Sequence, residues 1–242
     1  MLFTQYKKLP IVLSTLAVLA LSGCNNGSDN KTVVVTPPPP PPVPVVYSYE
    51  VKVVNLTQAQ PMSPVAVVLH NEGKLWEIGT SASVGLENLA ESGDNTMVLA
   101  DSMVLSGQGG AGVLKPGESE TVAISITDTM PMMLSLATML VNTNDAFTGV
   151  NAMNLSDMAT GDSVSITTST YDAGTELNSE MMATIPGPSA GGEGFNAERD
   201  DLDKVTMHSG VVSKDDGLMQ SVLTEANRFD NPTLMVTITR TQ

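Results

Sequence analysis

Apolar and polar residues alternate near both ends of a long stretch of this chain, and that alternation limits the fold more than any other feature. Tyr49, Val51 and Val53 alternate with Glu50 and Lys52, and Val122, Ile124 and Ile126 with Thr121 and Ser125. Leu234, Val236 and Ile238 do the same with Thr237 and Thr239. Successive side chains of a strand point to opposite faces, so a period of two marks a strand with one face buried and one in water. Apolar runs at residues 65–69, 133–140 and 164–167 predict further strands, and residues 84–91, with Leu86, Leu89 and Ala90, predict one short helix. Pro116-Gly117, Gly109-Gly110 and Gly191-Gly192 punctuate the chain as turns, and residues 185–194 read as a long loop. The expected class is all-β: an antiparallel, two-sheet β-sandwich with one short helix and long loops.

The chain begins with a different pattern. Lys7 and Lys8 precede an apolar run from residue 11 to 21, which ends in Leu21-Ser22-Gly23-Cys24. A spanning helix needs roughly twenty apolar residues, so this order reads as a secretory signal over residues 1–23. The tetrad resembles the lipobox of bacterial lipoproteins, which implies a diacylglycerol on the Cys24 thiol. Cys24 is the only cysteine, so the chain has no internal disulfide for it to serve. Two or three acyl chains anchor a protein stably where one does not. Asn25 stands where lipoproteins kept at the inner membrane carry Asp, so the resemblance implies an outer-membrane lipoprotein facing the periplasm or the cell surface.

Residues 24–46 read as a tether. Pro37 to Pro42 run unbroken before Val43 and Pro44. Proline fixes φ and removes the amide donor, so these residues favour an extended polyproline II spacer of roughly 25 Å at about 3.1 Å per residue. Residues 47–242 lie within the size range of one sandwich, and no internal repeat divides them.

The formal net charge is −15, with 11 basic residues against 26 acidic ones. Loss of Lys7 and Lys8 with the signal takes it to about −17. Phosphate backbones need basic patches, so nucleic acid is excluded as a partner. Cations are the natural counterpart, although such charge also serves solubility. His70 and His208 are the only histidines, and no Gly-x-Ser-x-Gly, His-Glu-x-x-His or phosphate-loop motif occurs. The chain therefore reads as no enzyme. Its fifteen methionines, beside four Phe and one Trp, read as flexible core packing.

Three segments together resemble the spondin N-terminal domain family: Tyr49-Glu50-Val51 through Asn55-Leu56-Thr57, the run from Leu134 to Leu140, and Asn144-Asp145 through Gly149-Val150. Tyr171-Asp172-Ala173-Gly174-Thr175-Glu176, Gly192-Glu193-Gly194-Phe195 and Asn231-Pro232 continue the resemblance. It implies a sandwich similar to C2 domains, one calcium ion held between loops at one end, and an extracellular adhesion role. The calcium carboxylates it implies are Asp145, Asp172 and Glu176, the last being Asp in animal members. The chain lacks the cysteines of those members, and Phe147 stands two residues after Asp145 instead of next to it. Gly174, between Asp172 and Glu176, can take the positive φ of a tight return. The expected protein is a monomeric, non-catalytic, calcium-binding recognition or adhesion module, anchored to the membrane by its lipid and directed at an envelope or extracellular protein or glycan. The alternatives are a structural envelope lipoprotein without a specific ligand and a secreted, metal-assisted hydrolase.

Overall fold

The computed structural model describes residues 40–242. The expected signal, Cys24 and the tether up to residue 39 lie outside the described residues. A compact unit runs from Val43 to Gln242.

Ten strands build it: β1 (Val46–Asn55), β2 (Ala66–His70), β3 (Ser106–Gly109), β4 (Ser119–Thr127), β5 (Met133–Met139), β6 (Ala146–Asn154), β7 (Ser163–Thr168), β8 (Thr170–Asp172), β9 (Thr206–Met207) and β10 (Leu234–Arg240). Helix α1 (Val84–Ser92) and the single turn α2 (Thr96–Leu99) lie between β2 and β3 in sequence. One sheet has the order β4-β1-β10-β7 and the other β3-β2-β5-β6-β8-β9. All pairings between these strands are antiparallel. The architecture is the all-β sandwich the alternation implied.

The alternating strands make the smaller sheet. Tyr49, Val51 and Val53 of β1, Val122 and Ile124 of β4, and Leu234, Val236 and Ile238 of β10 turn inward against Val67, Leu69, Leu134 and Leu136 of the larger sheet. Each such aliphatic side chain removed from water contributes roughly 1.5–3 kcal/mol. The central strands of the larger sheet are buried on both faces. On its outer face Leu86, Leu89 and Ala90 of α1 pack with Trp76 against Ala66, Val68, Ala137 and Phe147. All five residues of β2 are therefore buried, which explains an unbroken apolar run where β1 alternates. Helix α1 starts where the Ser83 side chain accepts the Leu86 N–H at 3.2 Å, and stops at Gly93, left-handed with φ 73°.

One expectation is refined here. Met62, Met139 and Met158 are buried, but Met132, Met181, Met182 and Met219 are exposed, so core packing accounts for only some of the methionines. Strand β6 carried no alternation in the sequence. Its register slips against β5 between Leu134 and Leu136, where Ala152 has a φ of 53° and donates its N–H to Ser135 Oγ at 2.7 Å.

Candidate metal centre

The edge of the larger sheet brings Asp145 and Asp172 together. Asp145 immediately precedes β6, Asp172 ends β8, and Asp172 stands opposite Ala146 in the register. The ladder runs one step further, from Ala173 N–H to the Asp145 carbonyl at 3.2 Å. The approach to Asp145 is fixed by Thr143, whose hydroxyl donates to the Leu140 carbonyl at 2.6 Å and accepts the Ala146 N–H at 3.1 Å.

After Ala173 the chain returns over the strand end through Gly174, with φ 72°. A Cβ there would lie 2.3 Å from the Lys204 carbonyl oxygen, so both conformation and space require glycine. The return delivers the N–H groups of Thr175 and Glu176 to Asp145 Oδ2, at 2.8 and 3.2 Å, with the Thr175 hydroxyl donating to the same atom at 3.2 Å. Asp145 Oδ1 is buried and has no partner. Asp172 accepts the Gly174 N–H at 2.7 Å through Oδ1 and the Asn178 amide at 2.5 Å through Oδ2.

Asp145, Asp172 and Glu176 are all buried. None is in an ion pair among the described residues, where the one buried carboxylate that is paired is Glu87, with Arg199. Burial, then the neighbouring Asp172 charge, pushes Asp145 up to about 7 against the pull of its three donors. Burial pushes Glu176 up to about 8, and the charges of Glu91, Asp145, Glu193 and Asp200 add to it in that order. Carboxylates in such a setting need either a proton or a cation.

The donors are all hard oxygens, and Oδ1 of Asn144, the residue before Asp145, is also buried without a partner. That set suits calcium, which mixes carboxylates with amide and backbone carbonyls. Among the described residues no three His, Cys, Asp or Glu side chains converge as a ready metal cage. The reason is visible in the hydrogen bonds. Both Asp172 oxygens turn to Gly174 and Asn178, and Asp145 Oδ2 turns to the return loop, leaving Oδ1 as the free donor.

Neither histidine hydrogen-bonds to these oxygens, although His208 lies close enough to Asp172 for that charge to act on its ring, and its Nε2 is buried without a partner. His70 sits between the Glu72 carbonyl and Ser135 Oγ, at 2.8 and 2.9 Å, bracing the β5–β6 irregularity. His208 accepts the Gly210 N–H at 2.9 Å through Nδ1, and burial pushes its pKa down. Sequence reasoning missed Thr175, Asn178 and Glu91. The last had a usable signal, because Glu87 and Glu91 are like charges four residues apart, on the buried side of a short helix.

Residues 56–186 match the family described as Spondin_N, more than half of the chain. The match takes in α1, Asp145, Asp172 and Glu176. No curated protein matches the sequence.

Proposed function

Because the chain belongs to the Spondin_N family, whose members are non-catalytic, extracellular recognition or adhesion modules, we propose that it is a recognition module whose loop end depends on calcium. Asp145, Asp172 and Glu176 would hold the ion. The observation that carries this reading is Asp145, a fully buried carboxylate with one oxygen held by three donors and the other unpartnered. Bound there, calcium supplies the positive charge and oxygen coordination that these buried carboxylates lack. The chain's own residues do the rest. The Gly174 return positions Glu176 over Asp145, and the sheet holds Asp172 one register step away. Loops on such a rigid edge are suited to contacting an envelope or extracellular protein or glycan. In the same proposal a lipid on Cys24 holds the domain at the outer membrane.

Thermal melts test the reading. Extracellular modules bind calcium with dissociation constants of roughly 10⁻⁴ to 10⁻³ M. At a hundred-fold excess over the dissociation constant, linkage adds about 2.7 kcal/mol. That raises the melting temperature by roughly 5–11 °C for a domain of this size. Magnesium, which keeps its waters, adds far less. Asp145→Asn and Asp172→Asn each remove most of the shift. A wild-type melt indifferent to calcium and chelator refutes the proposal.

A further inference from the structure

The buried face of α1 carries two glutamates with opposite fates. Glu87 is 2% exposed and meets Arg199 twice, Nη2 to Oε2 at 2.5 Å and Nε to Oε1 at 3.1 Å. Glu91, one turn on, is 1% exposed and takes part in no ion pair among the described residues. Its Oε2 accepts the Asn196 N–H at 2.8 Å, and its Oε1 is buried with no partner. A buried, unpaired carboxylate oxygen costs several kcal/mol and is rare in a native fold.

Two observations place Glu91 on the side of Asp145. Ala173, bonded to the Asp145 carbonyl, packs in the outer cluster together with Leu86, Leu89 and Ala90 of α1. Phe147, two residues along from Asp145 and so on its face of the pleat, packs there too. Burial raises the Glu91 pKa, and the Thr175 hydroxyl, which is bonded to Asp145 Oδ2, lies close enough to Glu91 to offset part of that rise. Among neighbouring charges, Glu91 raises Glu176 the most. Asp145 and Glu91 therefore both approach the Thr175 hydroxyl, and each carries a buried oxygen without a partner.

We infer that Glu91 is a fourth carboxylate of the cation site, so that the site ties helix α1 to the sheet edge. This rests on the calcium reading above. One consequence is mechanical: through Asn196, Glu91 also holds the segment following Gly194, so cation binding fastens α1, the return loop and residues 194–196 at one point. Charge count at a site sets calcium affinity, so removing one of four carboxylates is a large perturbation.

The test is calcium titration of the wild type, Glu91→Gln and Glu87→Gln by calorimetry, with amide exchange of α1 followed with and without calcium. Glu91→Gln is expected to weaken calcium at least ten-fold and to abolish the calcium-induced slowing of exchange in α1. Its melting temperature in chelator should equal or exceed that of the wild type, because a buried unpaired charge is gone. Glu87→Gln is the control: loss of the Arg199 pair lowers stability but leaves calcium affinity within about two-fold. If Glu91→Gln does not fold, Glu91→Asp, which withdraws the charge by one methylene, decides through the same titration with a several-fold weakening. Wild-type calcium binding with unchanged affinity in the Glu91 variants overturns this inference alone. Absence of calcium binding in the wild type overturns the calcium reading and this inference with it.

Discussion

Glu180→Gln should stabilise this protein at alkaline pH and leave it unchanged at acid pH. Glu180 is 2% exposed, has a φ of 56°, and accepts the Val212 N–H at 3.0 Å through Oε1. Its own carbonyl accepts the Val222 N–H at 2.9 Å, so it joins the two segments around the small core of Ile185, Val211 and Leu223. No cation pairs with it among the described residues. Burial pushes its pKa up to about 7, and the Val212 N–H only partly offsets that. A carboxyl whose folded pKa is raised contributes its full stability below the unfolded value of 4.5 and loses it as pH rises through about 7. At about 1.4 kcal/mol per pKa unit, the loss is at most about 3 kcal/mol, and water relaxation around the carboxylate could halve it. Glutamine keeps the oxygen that Val212 needs and carries no charge. The variant should therefore melt roughly 3–12 °C above wild type at pH 8.5 and level with it at pH 4.5. Other titrating groups cancel in the difference. An equal gap at both pH values would refute the argument, because only a charge penalty specific to Glu180 makes it pH-dependent.

Two further changes probe the framework. Gly149→Ala puts a Cβ 1.9 Å from the Leu136 carbonyl oxygen, where neither backbone can retreat, and should cost about 3 kcal/mol or more in a denaturant melt. Asn55→Ala strips a fully buried amide that donates to the Gln60 and Leu114 carbonyls and accepts from the Thr57 N–H and hydroxyl. It should cost roughly 2–4 kcal/mol by the same assay, and Asn55→Asp should not restore it because two acceptors lose their donor.

The legible parts of the fold are those where one physical rule acts alone. Strands β1, β4 and β10 face the core on one side and water on the other, so burial prints a period of two on their sequence. In β6 two rules compete. Its first five residues are buried on both faces, yet they include Thr148, which sits in a threonine cluster with Thr168 at 2.7 Å and Thr233 at 3.3 Å, and Gly149, which is there for closeness to β5. Polar and small residues in a doubly buried strand erase both the alternation and the apolar run. Asp145, Asp172 and Glu176 were singled out through resemblance, and Gly174 through its turn chemistry. Glu91 escaped although its spacing from Glu87 is visible in the sequence, because its place on the buried side of α1 is known only once the sheet beneath is.

The same comparison shows why the carboxylates can be gathered at all. Asp145 and Asp172 are the residues at which β6 and β8 meet their loops, so their backbones are held by a ladder whose neighbours, Phe147 and Tyr171, stack at 5.5 Å and enclose Trp76 at 5.2 Å from each. An aromatic cluster of this kind contributes packing well beyond a single contact and gives the sheet edge little freedom to splay. Repulsion between the carboxylates then falls on the return loop and the end of α1, whose links to the edge are a few hydrogen bonds around Thr175 and Asn196. In the proposed function a cation here would act on those few hydrogen bonds, while the sandwich behind them is secured by its own core. Trp76, the only tryptophan, packs against both strands and against α1, so its emission should report any movement between them.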